Sequence, residues 1–139
     1  MTEYVVTRFY RAPEVMLCSH QYTKAIDIWS AGCSFGELLS KKYLFPGENY
    51  LNQIKIIIEV LGSIDDKDLG FIQNDHAKNY VKSFKNMPKK NLKEVLNYDD
   101  DQAIDLLSKM IVYDPYKRIS AKQALNHPYF DDLYKSTFY

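Results

Sequence analysis

The sixteen residues "AIDIWSAGCSFGELLS", Ala25 to Ser40, decide how the rest of this chain is read. Ile26, Ile28, Trp29, Ala31, Cys33, Phe35, Leu38 and Leu39 leave almost no polar face, so the pattern predicts a helix buried on most sides at the centre of a helical cluster. Ala31, Gly32 and Gly36 are small enough to let neighbouring elements approach closely. Asp27 stands near its start, where an aspartate can cap the first turn.

Outward from this helix the chain reads as mainly α. Residues 1–24 read as extended or irregular, with Pro13 breaking any early helix. After it, Pro46-Gly47 marks a turn, and Leu51, Ile54, Ile58 and Leu61 form an apolar stripe that ends at Gly62. Residues 63–98 are polar and weakly periodic, with short helices at best. Asp99, Asp100 and Asp101 precede Ala103, Ile104, Leu107, Met110 and Ile111, an amphipathic helix with acids at its positive end. Ser120 with Gln123 is a capping-box pattern, predicting a short helix over Ala121 to Asn126 that Pro128 closes. No convincing strand pattern and no repeat occur.

Composition narrows the function. The 139 residues fit one domain or one lobe of something larger, and 46% hydrophobic content is ample for a core. Lys plus Arg equal Asp plus Glu at 18 each, so a nucleic-acid binder with a broad basic face is not expected. No apolar run approaches the roughly 20 residues of a membrane helix, so no membrane partner is expected. Cys18 and Cys33 lack a C-x-x-C spacing and read as small buried hydrophobes. His20, His76 and His127 are scattered, so no metal site is expected.

The chemistry concentrates in "MTEYVVTRFYRAPEV", residues 1–15. The hydroxyls of Thr2 and Tyr4 can accept phosphoryl groups, each adding about −1.5 to −2 charge. Arg8 and Arg11 follow Tyr4 by four and seven residues, and guanidinium forks pair well with phosphate oxygens. Taken alone, the same residues would also serve as a solvated turn.

Together, T-x-Y with "VVTRFYRAPEV", "YTKAIDIWSAGC" and "DPYKRISAKQALNHPYF" resemble the C-terminal helical lobe of a protein kinase, in particular a mitogen-activated protein (MAP) kinase, from Met1 to about Phe130. Thr-Glu-Tyr resembles the extracellular-signal-regulated branch, whereas Met1 and Val5-Val6 look like the stress-activated branches, so the sub-branch stays open.

The resemblance implies a partial kinase domain over residues 1–139, with the end of the activation segment at 1–18 and the MAP kinase insert at about 63–98. It implies that Thr2 and Tyr4 are the phosphorylation switch and that Arg8 and Arg11 hold the phosphate. Thr7 would position the substrate hydroxyl, and Val6 through Arg11 would shape the pocket for the proline that follows it. Glu14 would form a buried ion pair with Arg118. Asp27 would bond the backbone of the catalytic loop. Met16, Leu17, Tyr50, Leu51, Ile54 and Tyr80 match a docking pocket for aromatic motifs, though ordinary core packing explains them about as well. Partners implied are an upstream dual-specificity MAP kinase kinase, substrates carrying Ser/Thr-Pro, and phosphatases, in cytoplasm and nucleus.

The pattern also departs from the family. There is no G-x-G-x-x-G loop, strand lysine, H-R-D or D-F-G, the parts that hold ATP, Mg²⁺ and the attacking hydroxyl. The expectation is an N-terminally truncated kinase, lacking the N-lobe and catalytic loop, inactive alone and dependent on ATP and Mg²⁺ only when complete. The alternative is a non-catalytic docking or scaffold module derived from a kinase. In the tail, Asp131 and Asp132 supply only part of the family's acidic docking cluster. Thr7, Asp27 and Trp29 would be left uncovered, which predicts marginal stability or self-association.

Overall fold

A computed structural model describes residues 8–17 and 23–133. Among these residues there is no strand. Helices α1 (Pro13–Leu17), α2 (Lys24–Ser40) and α3 (Tyr50–Leu61) come first. A 3₁₀ turn (Asp66–Phe71) follows, then α4 (Asp75–Lys82), α5 (Leu92–Leu96) and α6 (Asp101–Met110). The chain continues through a 3₁₀ turn at Pro115–Lys117, α7 (Ala121–Leu125) and a last 3₁₀ turn at Pro128–Phe130. This is the mainly helical architecture of a kinase-like lobe, without the sheet-rich half.

α2 is the hub. Its buried residues are Trp29, Gly32, Cys33 and Gly36. A Cβ on Gly32 would lie 3.0 Å from Ile111 Cγ2 and 3.1 Å from Met110 Cβ, and one on Gly36 would lie 2.9 Å from a Leu44 methyl. The missing side chains let α6 and the 41–49 connection approach closely. Trp29 stacks on Phe45, 5.6 Å between ring centroids, in a core with Ile57, Leu96 and Leu107. A second cluster joins Leu17, Ile54 and Ile58 to Leu69, Phe71, Ile72 and Val81, seating the 63–98 region on α3.

Several expectations need correction. Pro13 does not break a helix; it is the first residue of α1, where its missing N–H and fixed φ suit the helix start. α2 is not buried on most sides. Asp27, Ala31, Ser34 and Leu38 recur at intervals of four, three and four and form an exposed stripe, with Leu38 71% exposed. Asp27 does not cap α2, because Thr23 holds the N-cap position and Asp27 lies in the first turn. On α3 the buried face is Gln53, Ile54, Ile57, Ile58 and Val60, while Leu51 is exposed. Trp29 is fully buried, so it contributes no apolar patch, although its indole nitrogen has no hydrogen-bond partner.

Local signals elsewhere match the structure. Asp100 Oδ1 accepts from the Gln102 and Ala103 amides at the start of α6. Ser120 and Gln123 form the reciprocal capping box, and α7 stops at Leu125, one residue short of the expected end. Gly62 takes φ +85° after α3, and its N–H donates to Ile58 O at 2.8 Å.

Candidate functional site

Residues 8–17 run across the body of the molecule and are fastened at each step. Arg8 is buried, and its Nε and one terminal nitrogen donate to the Gly47 carbonyl at 3.1 and 2.8 Å. Phe9 meets Tyr43 edge to face at 4.9 Å. The Tyr10 hydroxyl donates to Glu37, and the Tyr10 carbonyl accepts from Ser30 Oγ at 2.7 Å. Burial, then the bond to the Glu37 carboxylate, pushes the Tyr10 phenol up to about 12. Arg11 donates to the Tyr50 hydroxyl and lies over the Tyr50 ring, 5.4 Å from its centroid.

Glu14 and Arg118 meet. The guanidinium grips the carboxylate with two nitrogens at 2.5 and 2.6 Å, and both side chains are fully buried. Arg118 also donates to the carbonyls of Val112 (2.7 Å), Ala25 (3.0 Å) and Tyr113 (3.2 Å). All five guanidinium N–H groups thereby have acceptors. Its plane lies 5.1 Å from the Trp29 ring. A buried ion pair tolerates its desolvation only with such complete bonding. The result ties α1, the start of α2 and the loop after α6 at one point, across 104 residues of sequence.

The residues matching a docking pocket lie together, with different exposures. Leu17 and Ile54 belong to the core, and Met16 and Tyr80 are half-buried against it. Tyr80 donates to the Leu51 carbonyl at 2.8 Å and packs on Phe84. Tyr50 and Leu51 form the outward edge. Asp27 lines a cleft with Lys24, Ile28, Arg118 and Ser120. Thr2, Tyr4, Val6, Thr7, Cys18 and His20 lie outside the described residues.

Several buried polar contacts are not legible in the sequence. Gln53 is wholly buried in α3 and bonds the Phe45–Gly47 turn. The signal was present as a lone amide beside Ile54 and Ile57, but an apolar stripe template skips it. The Tyr10–Glu37 pair is invisible without the fold. So is His127, whose Nδ1 accepts from the Tyr129 amide at 3.0 Å while Nε2 meets Asp105 at 2.7 Å. Lys109 first, and then His127, hold the Asp105 carboxyl below its ordinary range. Burial pushes the Cys33 thiol up to about 12, so it is no ready nucleophile. Among the described residues no cluster of His, Cys, Asp or Glu is arranged to hold a metal. No helix of the described residues is long and apolar enough to cross a membrane.

The Glu14–Arg118 pair that the kinase resemblance implied is present, and comparison with known proteins shows the family. The protein kinase domain model matches residues 1–130, and the chain belongs to that family. Its similar relatives are MAP kinases. It is 52% identical to mitogen-activated protein kinase 3 of Oryza sativa subsp. japonica over 96% of this chain. It is 50% identical to mitogen-activated protein kinase 13 of Arabidopsis thaliana over 97%, and 49% identical to extracellular signal-regulated kinase 1 of Dictyostelium discoideum over 96%. The chain spans 36%, 37% and 25% of these relatives' own lengths.

Proposed function

We propose that this chain is the substrate-binding and switch-bearing part of a proline-directed MAP kinase, the C-terminal lobe of a protein that phosphorylates Ser or Thr preceding proline. The observation that carries the reading is the buried Glu14–Arg118 fork. It fixes the segment after Arg11 to the helical body, which gives residues 8–12 a firm support. Rigid attachment is what a substrate-positioning segment needs, since catalytic positioning is lost with displacements of about 1 Å.

In this reading an upstream dual-specificity kinase phosphorylates Thr2 and Tyr4, and phosphatases reverse it. Arg8 and Arg11 stand in the segment that follows as the cations for phosphotyrosine. Arg8 is buried with Nε and one terminal nitrogen on the Gly47 carbonyl, so only its remaining N–H groups would serve the phosphate. Arg11 lies on Tyr50, an exposed aromatic whose contact a phosphate would compete with. Val6 and Thr7 face the substrate. Tyr50, Leu51 and Tyr80 form the edge of a docking surface for aromatic motifs, backed by Met16, Leu17 and Ile54. The intact kinase works in cytoplasm and nucleus.

ATP and Mg²⁺ supply the transferable phosphoryl group and its charge neutralisation in the intact enzyme. The described residues offer no carboxylate cluster for the metal, so no step is assigned to this chain through either group. In this reading the lone chain, whose sequence carries no G-x-G-x-x-G, H-R-D or D-F-G motif, transfers no phosphate by itself.

The test is to treat the chain with an active MAP kinase kinase and ATP, then measure intact mass and map the sites. Two added phosphates, on Thr2 and Tyr4, support the reading, as does absence of phosphoryl transfer from labelled ATP by the chain alone. Modification elsewhere only, or transfer by the lone chain, overturns it.

A further inference from the structure

Gln53 is an anomaly in α3. It is 0% exposed and flanked by core residues. A buried primary amide costs free energy unless its donors and acceptor are matched. Its Nε2 donates to the Phe45 carbonyl at 2.7 Å, and its Oε1 accepts from the Gly47 N–H at 2.9 Å. That pairing fixes the amide orientation, because the flipped amide would set acceptor against acceptor and donor against donor. Pro46, between the two, has no N–H of its own. The turn also lies hard against α3, where a Cβ on Gly47 would sit 2.6 Å from Gln53 Cα and 2.5 Å from Gln53 Oε1.

The clamped turn aims one group at the switch segment. The Gly47 carbonyl accepts from Nε and one terminal nitrogen of the buried Arg8. Arg8 directly follows Val6 and Thr7 in sequence. Through the Gly47 carbonyl, a side chain 45 positions away thus bears on where the Arg8 guanidinium sits.

We propose that Gln53 is a positioning residue, which through the Gly47 carbonyl and Arg8 sets the preference for proline after the phosphoacceptor. This rests on the reading of Val6 through Arg11 as the pocket for that residue. Gln53 touches no substrate. Its effect falls on the contrast between substrates, not on all substrates alike.

The test uses the intact kinase. Gln53→Met keeps the volume and removes both hydrogen bonds; Gln53→Glu keeps the acceptor for Gly47 N–H and loses the donor to Phe45. In Gln53→Met, amides of residues 8–12 exchange about tenfold faster while those of α6 are unchanged. The ratio of kcat/KM for a Ser-Pro peptide over its Ser-Ala counterpart falls about tenfold. Gln53→Glu sets a buried carboxylate against the Phe45 carbonyl and departs from wild type at least as far as Gln53→Met on both readouts. Arg8→Met reproduces the loss, and the double variant adds little to it. Unchanged exchange at 8–12, exchange that rises equally in α6, or additive losses in the double variant would overturn the relay. A preserved Ser-Pro preference despite faster exchange would overturn the specificity role. A wild-type enzyme with no preference for proline would instead overturn the substrate reading itself, which the exchange data test separately.

Discussion

Glu14→Gln is the sharpest perturbation of this fold. Glutamine is isosteric, so packing around Ala12 and Pro13 stays. It retains one acceptor for Arg118 and turns an amide N–H toward the other guanidinium nitrogen, where Glu14 Oε1 and Oε2 now stand at 2.6 and 2.5 Å. Arg118 keeps its bonds to Val112, Ala25 and Tyr113, but its charge is left buried without a counter-ion. Breaking one partner of a buried pair costs about 3–5 kcal/mol. With one hydrogen bond conserved, the low end, about 3 kcal/mol, applies. Total stability for such a domain is about 5–15 kcal/mol, and 3 kcal/mol corresponds to a midpoint lower by roughly 10 °C. Trp29 is the sole tryptophan and lies on the Arg118 plane, so its fluorescence in a urea titration reads both the global transition and the local site. Arg118→Met alone should lose more than Glu14→Gln, since three carbonyls and Glu14 are orphaned. The two losses together should fall well short of their sum. A change below about 0.5 kcal/mol for Glu14→Gln, within the range of ordinary surface substitutions, would refute the reasoning.

Other outcomes follow from the same contacts. Gly47→Ala places a methyl 2.6 Å from Gln53 Cα, and should cost about 1–3 kcal/mol by denaturant titration because backbone, not a flexible side chain, must move. Ser120→Ala removes the capping box of α7 and should cost about 1 kcal/mol by the same measurement. Tyr10 gives a pH signature. The folded phenol keeps its proton up to about 12, whereas an ordinary phenol loses it at 10.0. Its contribution is therefore complete below pH 10 and is lost as pH rises from 10 toward 12. Tyr10→Phe should show a shallower fall in stability over that window than wild type, measured by chemical denaturation at stepped pH.

The helical body was legible because its signals are local. The acids before α6, the Ser120–Gln123 box and the Pro46-Gly47 turn each act within a few residues, so composition and spacing suffice. Misreadings arose where tertiary placement overrides pattern. Leu38 and Leu51 are apolar yet exposed, and counting apolar residues cannot tell which side of a helix is covered. Pro13 breaks a helix that precedes it but starts one that follows, and only the course of the chain separates these. Glu14 and Arg118 came to notice through family resemblance, since a pair 104 residues apart leaves no periodic trace. The Tyr10–Glu37 contact stayed hidden for the same physical reason, whereas Gln53 bonds residues only six and eight positions away and was hidden because an apolar stripe skips an amide.

We propose that residues 8–12, pinned to the helical body, support a phosphorylation-gated, proline-directed substrate site. The most direct measurement is the kcat/KM of the intact kinase on paired Ser-Pro and Ser-Ala peptides, before and after phosphorylation of Thr2 and Tyr4. The account predicts strong preference for Ser-Pro once both are phosphorylated, and loss of activity when Thr2→Ala and Tyr4→Phe are combined. Equal use of the two peptides, or activity indifferent to Thr2 and Tyr4, would contradict it.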